Sequence, residues 1–176
     1  EVSEDGLTYT FTMRDGLKWS NGAELSAKDF EYAWKRMANP DTAADYSYLC
    51  AMFAGYDETK GLADDDVVAS EDGKTLTVKL AAVTPYFLDL CAFPTFFPVY
   101  QDAVENNADW ANDAGENFVT NGAFTLKSWN HDSSMVYVKN PNYWDAANVT
   151  VDTMNVMLTS DDVSAYTAYQ NGDLDF

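Results

Sequence analysis

His131 is the only histidine in the chain, and it stands in a polar stretch, Asn130-His131-Asp132-Ser133-Ser134. Nucleophilic catalysis needs a histidine held between a nucleophile and a carboxylate. Adjacency of His131 to two serines in a turn does not supply that geometry, so His131 reads as a surface residue. Two cysteines, Cys50 and Cys91, and one histidine cannot close a zinc site unless several carboxylates join them. Asp64-Asp65-Asp66 lacks the spaced oxygens of a calcium loop and reads as a solvated run of charge. The G-x-S-x-G, H-E-x-x-H and G-x-x-x-x-G-K motifs are absent. Asn148-Val149-Thr150 fits a glycosylation acceptor, as many chance triplets do. The 29 acidic residues leave one enzymatic alternative standing, a surface glycoside hydrolase or other carboxylate-dependent hydrolase. Its two carboxyls would face each other about 5–10 Å apart across a cleft, and the sequence singles out no such pair. No cofactor-binding set is legible.

Composition narrows the classes further. Ten basic against 29 acidic residues give a net charge of −19. Nucleic-acid binding needs a basic footprint, and an anionic membrane surface would repel this chain. Self-repulsion of this size suits a dispersed monomer. Hydrophobic content of 47% with 15% aromatic residues is globular, and 176 residues suffice for one domain or two small ones. Cys50 and Cys91 lie in apolar runs that read as helix interiors, hence as buried free thiols. No apolar run reaches the roughly 20 residues of a membrane span.

The elements follow from local chemistry. Leu7, Tyr9, Phe11 and Met13 alternate with threonines, a half-buried strand over 7–13. Asp15-Gly16 turns the chain into a short extended piece, Leu17–Trp19, and Asn21-Gly22 turns it again. Ser26 is an N-cap with Asp29 in the first turn. Phe30, Ala33, Trp34 and Met37 form the apolar stripe of the helix it opens. Pro40 stops that helix, and Tyr46–Phe53 reads as the next one. Residues 56–66 are an acidic loop. Val67–Ala69 and Leu76–Leu80 pair around Asp72-Gly73. Thr84 as N-cap and Pro85 at the first position signal a short helix with Phe87, Leu88, Leu90 and Cys91 on its apolar face. Phe93–Pro98 carries too many prolines for a central strand, and 101–108 is helical. Residues 109–117 are a candidate boundary. Strands follow at 123–129, 135–139 and 149–158. Thr159-Ser160-Asp161-Asp162 then caps a helix that carries Val163, Tyr166 and Tyr169 on one face and stops at Asn171-Gly172.

Within this pattern lies a motif, R-D-G-x-K-W-S-N-G-x-x-L-S-A-K-D-F-x-Y-A-W-K-R, spanning Arg14–Arg36. It resembles the signature of the extracytoplasmic solute-binding proteins of peptide ABC importers, the oligopeptide- and dipeptide-binding family of bacterial family 5 type. Further matching blocks follow in order: Lys74–Leu80, Thr84–Phe87, Phe97–Val99, Val119–Phe124, Lys139–Asp145 and Gly172–Asp175.

The resemblance covers essentially the whole chain and implies an internal piece of a longer protein. It implies an α+β (mixed α/β) chain, a fragment of the two-lobed, type II-like cluster C periplasmic-binding-protein fold. Residues 1–115 would be the accessory subdomain of the first lobe. Residues 116–176 would be part of the main ligand-binding lobe, with the second lobe absent and 116–124 as the crossing between the two units. The implied role is non-catalytic: capture of an oligopeptide and delivery to the permease subunits of an ABC transporter. The implied place is outside the cytoplasm, lipid-anchored in the full-length protein. The family takes one ligand-contacting tyrosine from just after a D-P-x-T-A motif. Here Asn39-Pro40-Asp41-Thr42-Ala43 leads to Tyr46 as the match. Asp45 replaces the family's proline and Tyr48 follows closely, so the choice between Tyr46 and Tyr48 stays open. An adhesion or scaffolding module is a third reading, and it does not account for the order of the blocks.

Overall fold

A computed structural model describes residues 1–176. The N-terminal sheet contains β1 (Thr8–Thr12), β2 (Val67–Ala69) and β3 (Thr75–Lys79) in the order β1-β3-β2, antiparallel throughout. Register places Tyr9 opposite Val78, Phe11 opposite Leu76, and Val67 opposite Val78. The apolar members of the three strands therefore share one face, as period-two side chains must. Against that face lies α1 (Ala27–Ala38), which buries Ala33, Trp34 and Met37.

Local chemistry sets the start of α1. Ser26 accepts from the Lys28 amide while Asp29 Oδ2 accepts from the Ser26 amide at 2.8 Å, a reciprocal capping box. Asp29 Oδ1 also receives the Trp19 indole N–H at 3.2 Å, which ties the preceding turn to the helix. Gly73 passes so close that a Cβ there would sit 2.9 Å from that of Ser26. The Ala27 amide donates to the Gly73 carbonyl at 2.8 Å.

Several expectations need correction. Tyr46–Phe53 is no α-helix; Ser47–Met52 forms a 3₁₀ helix. Burying Cys50 and Phe53 completely anchors a short irregular turn better than a regular helix without a cap would. Thr84 does not cap α2 (Phe87–Leu90): its hydroxyl donates to the Ala82 carbonyl, and Tyr86 occupies the cap without a side-chain bond. Leu88, assigned to the apolar face, is exposed, whereas Phe87 is fully buried. The run 64–66 is not simply solvated. Asp65 pairs with Lys79 at 2.6 Å, and Asp66 is buried, its carboxylate accepting from the Gly55 and Ala63 amides. Cys50 and Cys91 are free, and burial pushes their thiols up to about 12 and about 11 respectively. Neither sits in an α-helix interior, since Cys50 is in the 3₁₀ turn and Cys91 follows α2.

After α3 (Gln101–Asn106) the chain reaches the second sheet, β4 (Phe124–Asn130), β5 (Ser134–Lys139) and β6 (Thr153–Met157), antiparallel in that order, with a bulge between Leu126 and Ser128. The final helix, α4 (Asp162–Asn171), starts at Asp161, which accepts from the Val163 and Ser164 amides. It ends at Gly172, whose φ of 80° is the left-handed conformation a C-terminal glycine allows. Its Val163, Tyr166 and Tyr169 are exposed, as are Val156 and Met157 on β6. No helix is long and apolar enough to cross a membrane.

Limited proteolysis should cut first within 109–117, where most side chains are exposed and the side-chain bonds are local. The other acidic loop, 56–66, is held by Asp57 to Thr59, by Asp66 to two amides, and by Gly61 packed on the Ala38 carbonyl. Mass spectrometry showing earlier cleavage in 56–66 would contradict that ranking.

Candidate functional site

Tyr46 and Tyr48 flank the start of the 3₁₀ turn at 47–52, and both project to solvent, 45% and 63% exposed. The chain reaches them through a tight device. Pro40 opens a 3₁₀ turn in which Asn39 Oδ1 accepts from the Asp41 amide, and Ala43 then takes a left-handed φ of 50°. From below, Cys50 and Phe53 pin the turn into the core. The two tyrosine rings lie 6.1 Å apart. Phe93, on the strap after α2, meets Tyr46 edge-on at 5.1 Å. That strap is fixed by a buried hydrogen bond from the Trp34 indole to the Phe96 carbonyl at 2.8 Å. Both tyrosines therefore belong to one open aromatic ridge with Phe93. Sequence reasoning missed Phe93; it read 93–98 only as a segment too proline-rich for a strand. Such a ridge offers flat apolar faces and phenolic hydroxyls, the chemistry of ligand contact.

The residues with catalytic potential do not assemble. His131 is exposed, stacks on Trp129 at 4.3 Å and stands 3.8 Å from Asp113. It makes no hydrogen bond to Ser133 or Ser134. No three His, Cys, Asp or Glu side chains converge as a metal cluster would require. The carboxylates clearly displaced from their ordinary pKa are all lowered: Asp5, Asp57, Asp72 and Asp161 chiefly by a neighbouring hydroxyl, and Asp15 and Asp65 chiefly by hydrogen bonds from Lys74 and Lys79. A glycosidase acid needs the opposite, a raised carboxyl.

The sequence motifs meet at a second place, the junction of the two sheets. The Ser20 amide donates to the Thr120 carbonyl at 2.7 Å, and the Thr120 amide donates to Ser20 Oγ at 3.2 Å. Asn142 Nδ2 donates to the Ser20 carbonyl at 3.0 Å. Asn140, completely buried, donates from Nδ2 to Gly122 O at 2.8 Å and accepts from the Asn142 amide at 3.0 Å. Trp19 is buried beside Tyr100, and the Arg14 guanidinium covers the Trp144 ring at 4.0 Å. W-S-N-G, T-N-G and N-P-N-Y-W are thus parts of one polar clamp, although the first is 100 or more residues from the other two.

Two small antiparallel sheets are clamped together beside an open ridge of rings. The chain belongs to family 5 of the bacterial extracellular solute-binding proteins, whose middle-region family model matches residues 1–176. It is 39% identical over 179 residues to the oligopeptide-binding protein OppA of Bacillus subtilis, covering 100% of this chain and 33% of that protein. It is 40% identical over 177 residues to the dipeptide-binding protein DppE of the same organism, covering 99% and 32%. Listeria monocytogenes OppA bound to peptide superposes with a TM-score of 0.90 at 35% identity, over 99% of this chain and 35% of that one. The chain therefore spans about a third of the length of the relatives it matches. Its mixed α/β fold with two small sheets corresponds to that share of their two-lobed architecture. The comparisons lend the hydrolase alternative no support.

Proposed function

We propose that this chain is the part of an extracytoplasmic receptor that presents one wall of an oligopeptide site, in a protein that hands its ligand to the permease subunits of an ABC importer without chemical turnover. Residues 1–115 act as the accessory subdomain and 116–176 as part of the main lobe. The observation that carries the reading is the open ridge of Tyr46, Tyr48 and Phe93 in a chain of this family. The exposed Val163, Tyr166 and Tyr169, at helical spacing on α4, support it. That stripe is a surface on which the rest of the main lobe would pack, since an apolar helix face left open to solvent marks an interface. The whole protein works as a monomer outside the cytoplasm, held to the membrane by a lipid.

Affinity in such a receptor comes from enclosing the ligand between lobes, so that water is excluded and polar groups meet it from both sides. One open wall supplies little of that. The 176-residue chain should bind oligopeptides no tighter than about millimolar, roughly −4 kcal/mol. In a longer protein carrying both lobes, Tyr46→Ala should weaken peptide binding by about 1 kcal/mol, the order of one hydrogen bond. Titration calorimetry on both proteins checks this. Micromolar binding by the 176 residues alone would place the whole pocket inside them and overturn the division of lobes. An unchanged affinity in Tyr46→Ala, with Tyr48→Ala impaired, would move the contact to Tyr48.

A further inference from the structure

Away from the aromatic ridge, a cavity of about 370 Å³ opens where the two sheets meet. Ten of its fourteen lining residues are hydrophobic, among them Leu17, Leu25, Phe30, Trp34, Phe96 and Trp144. Thr12, Arg14, Lys18 and Asn121 complete the lining, and Arg14 and Lys18 are exposed cations. The volume is more than twice the roughly 150 Å³ that holds a benzene ring, and it lies within the range of small-molecule sites.

Two features of the lining are informative. The chain has only 10 basic residues against 29 acidic ones, yet two of the 10 line one apolar hole. Arg14 and Lys18, like Lys28, Arg36, Lys127 and Lys139, have no carboxylate within 4 Å, whereas Lys35, Lys60, Lys74 and Lys79 are paired. Arg14 is also positioned: its guanidinium carbon lies 4.0 Å from the Trp144 ring centroid. Stacking uses the face of a guanidinium and leaves its edge N–H donors free for an anion. An apolar interior beside free, oriented donors is complementary to one chemistry, an apolar chain ending in a carboxylate.

We propose that this cavity is a binding site for a medium-chain aliphatic carboxylate, separate from the peptide-contacting ridge. Its hydrocarbon lies against Leu25, Phe30, Trp34 and Phe96, and its carboxylate meets Arg14 and Lys18. Trp144 holds the guanidinium in place, and with Asn121 it brings the segments flanking the second sheet into the lining, so the site depends on the clamp.

The test is calorimetric titration of the protein with decanoate below its micellar concentration, with decanol and decyltrimethylammonium as comparators. The expected result is one saturable site per chain for decanoate, with at least tenfold weaker binding of decanol and none of the cation. In Arg14→Gln/Lys18→Gln the decanoate advantage should vanish while decanol binding is unchanged, and an unaltered circular dichroism spectrum shows that the variant folds. Tyr46→Ala should leave decanoate binding untouched, which separates this site from the peptide reading. Absence of saturable binding overturns the proposal. So does equal binding of decanoate and decanol, or a decanoate affinity indifferent to the double substitution.

Discussion

Trp34→Ala should lower the free energy of unfolding by about 4 kcal/mol, within the range for removing a large buried aromatic. Trp34 is 2% exposed and sits where four elements converge. Its ring meets Phe53 at 5.8 Å, Phe87 edge-on at 6.2 Å and Phe96 at 5.5 Å and 90°. Edge-to-face pairs add to simple burial because the positive ring edge faces the negative π-cloud. Truncation leaves a cavity at that meeting point and strips the buried Phe96 carbonyl of its donor at 2.8 Å. Unfolding in urea, followed by far-ultraviolet circular dichroism, measures the loss, and the melting temperature should fall by about 10 °C or more. Trp34→Phe keeps most of the ring and loses the indole donor, so it should cost only about 1–2 kcal/mol. A loss below about 1 kcal/mol in Trp34→Ala would mean that the strap carrying Phe93 is not held through this residue.

Asp66→Ala should cost about 3 kcal/mol. The carboxylate accepts from the Gly55 amide at 2.9 Å to each oxygen and from the Ala63 amide at 3.1 Å, and the residue is 2% exposed. Removing it strands two backbone donors, each worth roughly 1.5–3 kcal/mol when the partner is charged. Gly55 admits no compensation by a larger side chain, because a Cβ there would lie 2.5 Å from that of Ala63. Hydrogen exchange supplies a local readout: the Gly55 and Ala63 amides should lose protection in Asp66→Ala. Asp66→Asn, which keeps one acceptor, should lose about half as much stability. Unchanged protection at both amides would show that the 54–66 loop closes without this carboxylate.

Asp66 shows where sequence reasoning stops. Asp64, Asp65 and Asp66 are chemically identical neighbours, and nothing local distinguishes them. In the fold Asp66 turns inward to two amides, Asp65 pairs with Lys79, and Asp64 offers its carbonyl to Lys35. Helix α4 teaches the complementary lesson. Its capping stretch 159–162, its stop at Gly172 and its apolar spacing were all legible, yet the apolar side meets solvent, because periodicity says which residues share a face and not what covers it.

What the sequence determined by itself is short in range. The alternation of Tyr9 and Phe11 with threonines, the Ser26–Asp29 box, the Phe30–Met37 stripe and the turn glycines specify elements because cap, turn and period act within a few residues. The order of the motif blocks was sufficient to place the chain in its family. Only the tertiary structure decided that Ser20, Thr120, Asn140 and Asn142 form one clamp, and that Phe93 stands against Tyr46. It also decided that residues 47–52 tighten into a 3₁₀ turn. The reason is physical: hydrogen bonds and ring contacts between residues 18 to 122 positions apart depend on how whole elements pack, and no local propensity encodes that.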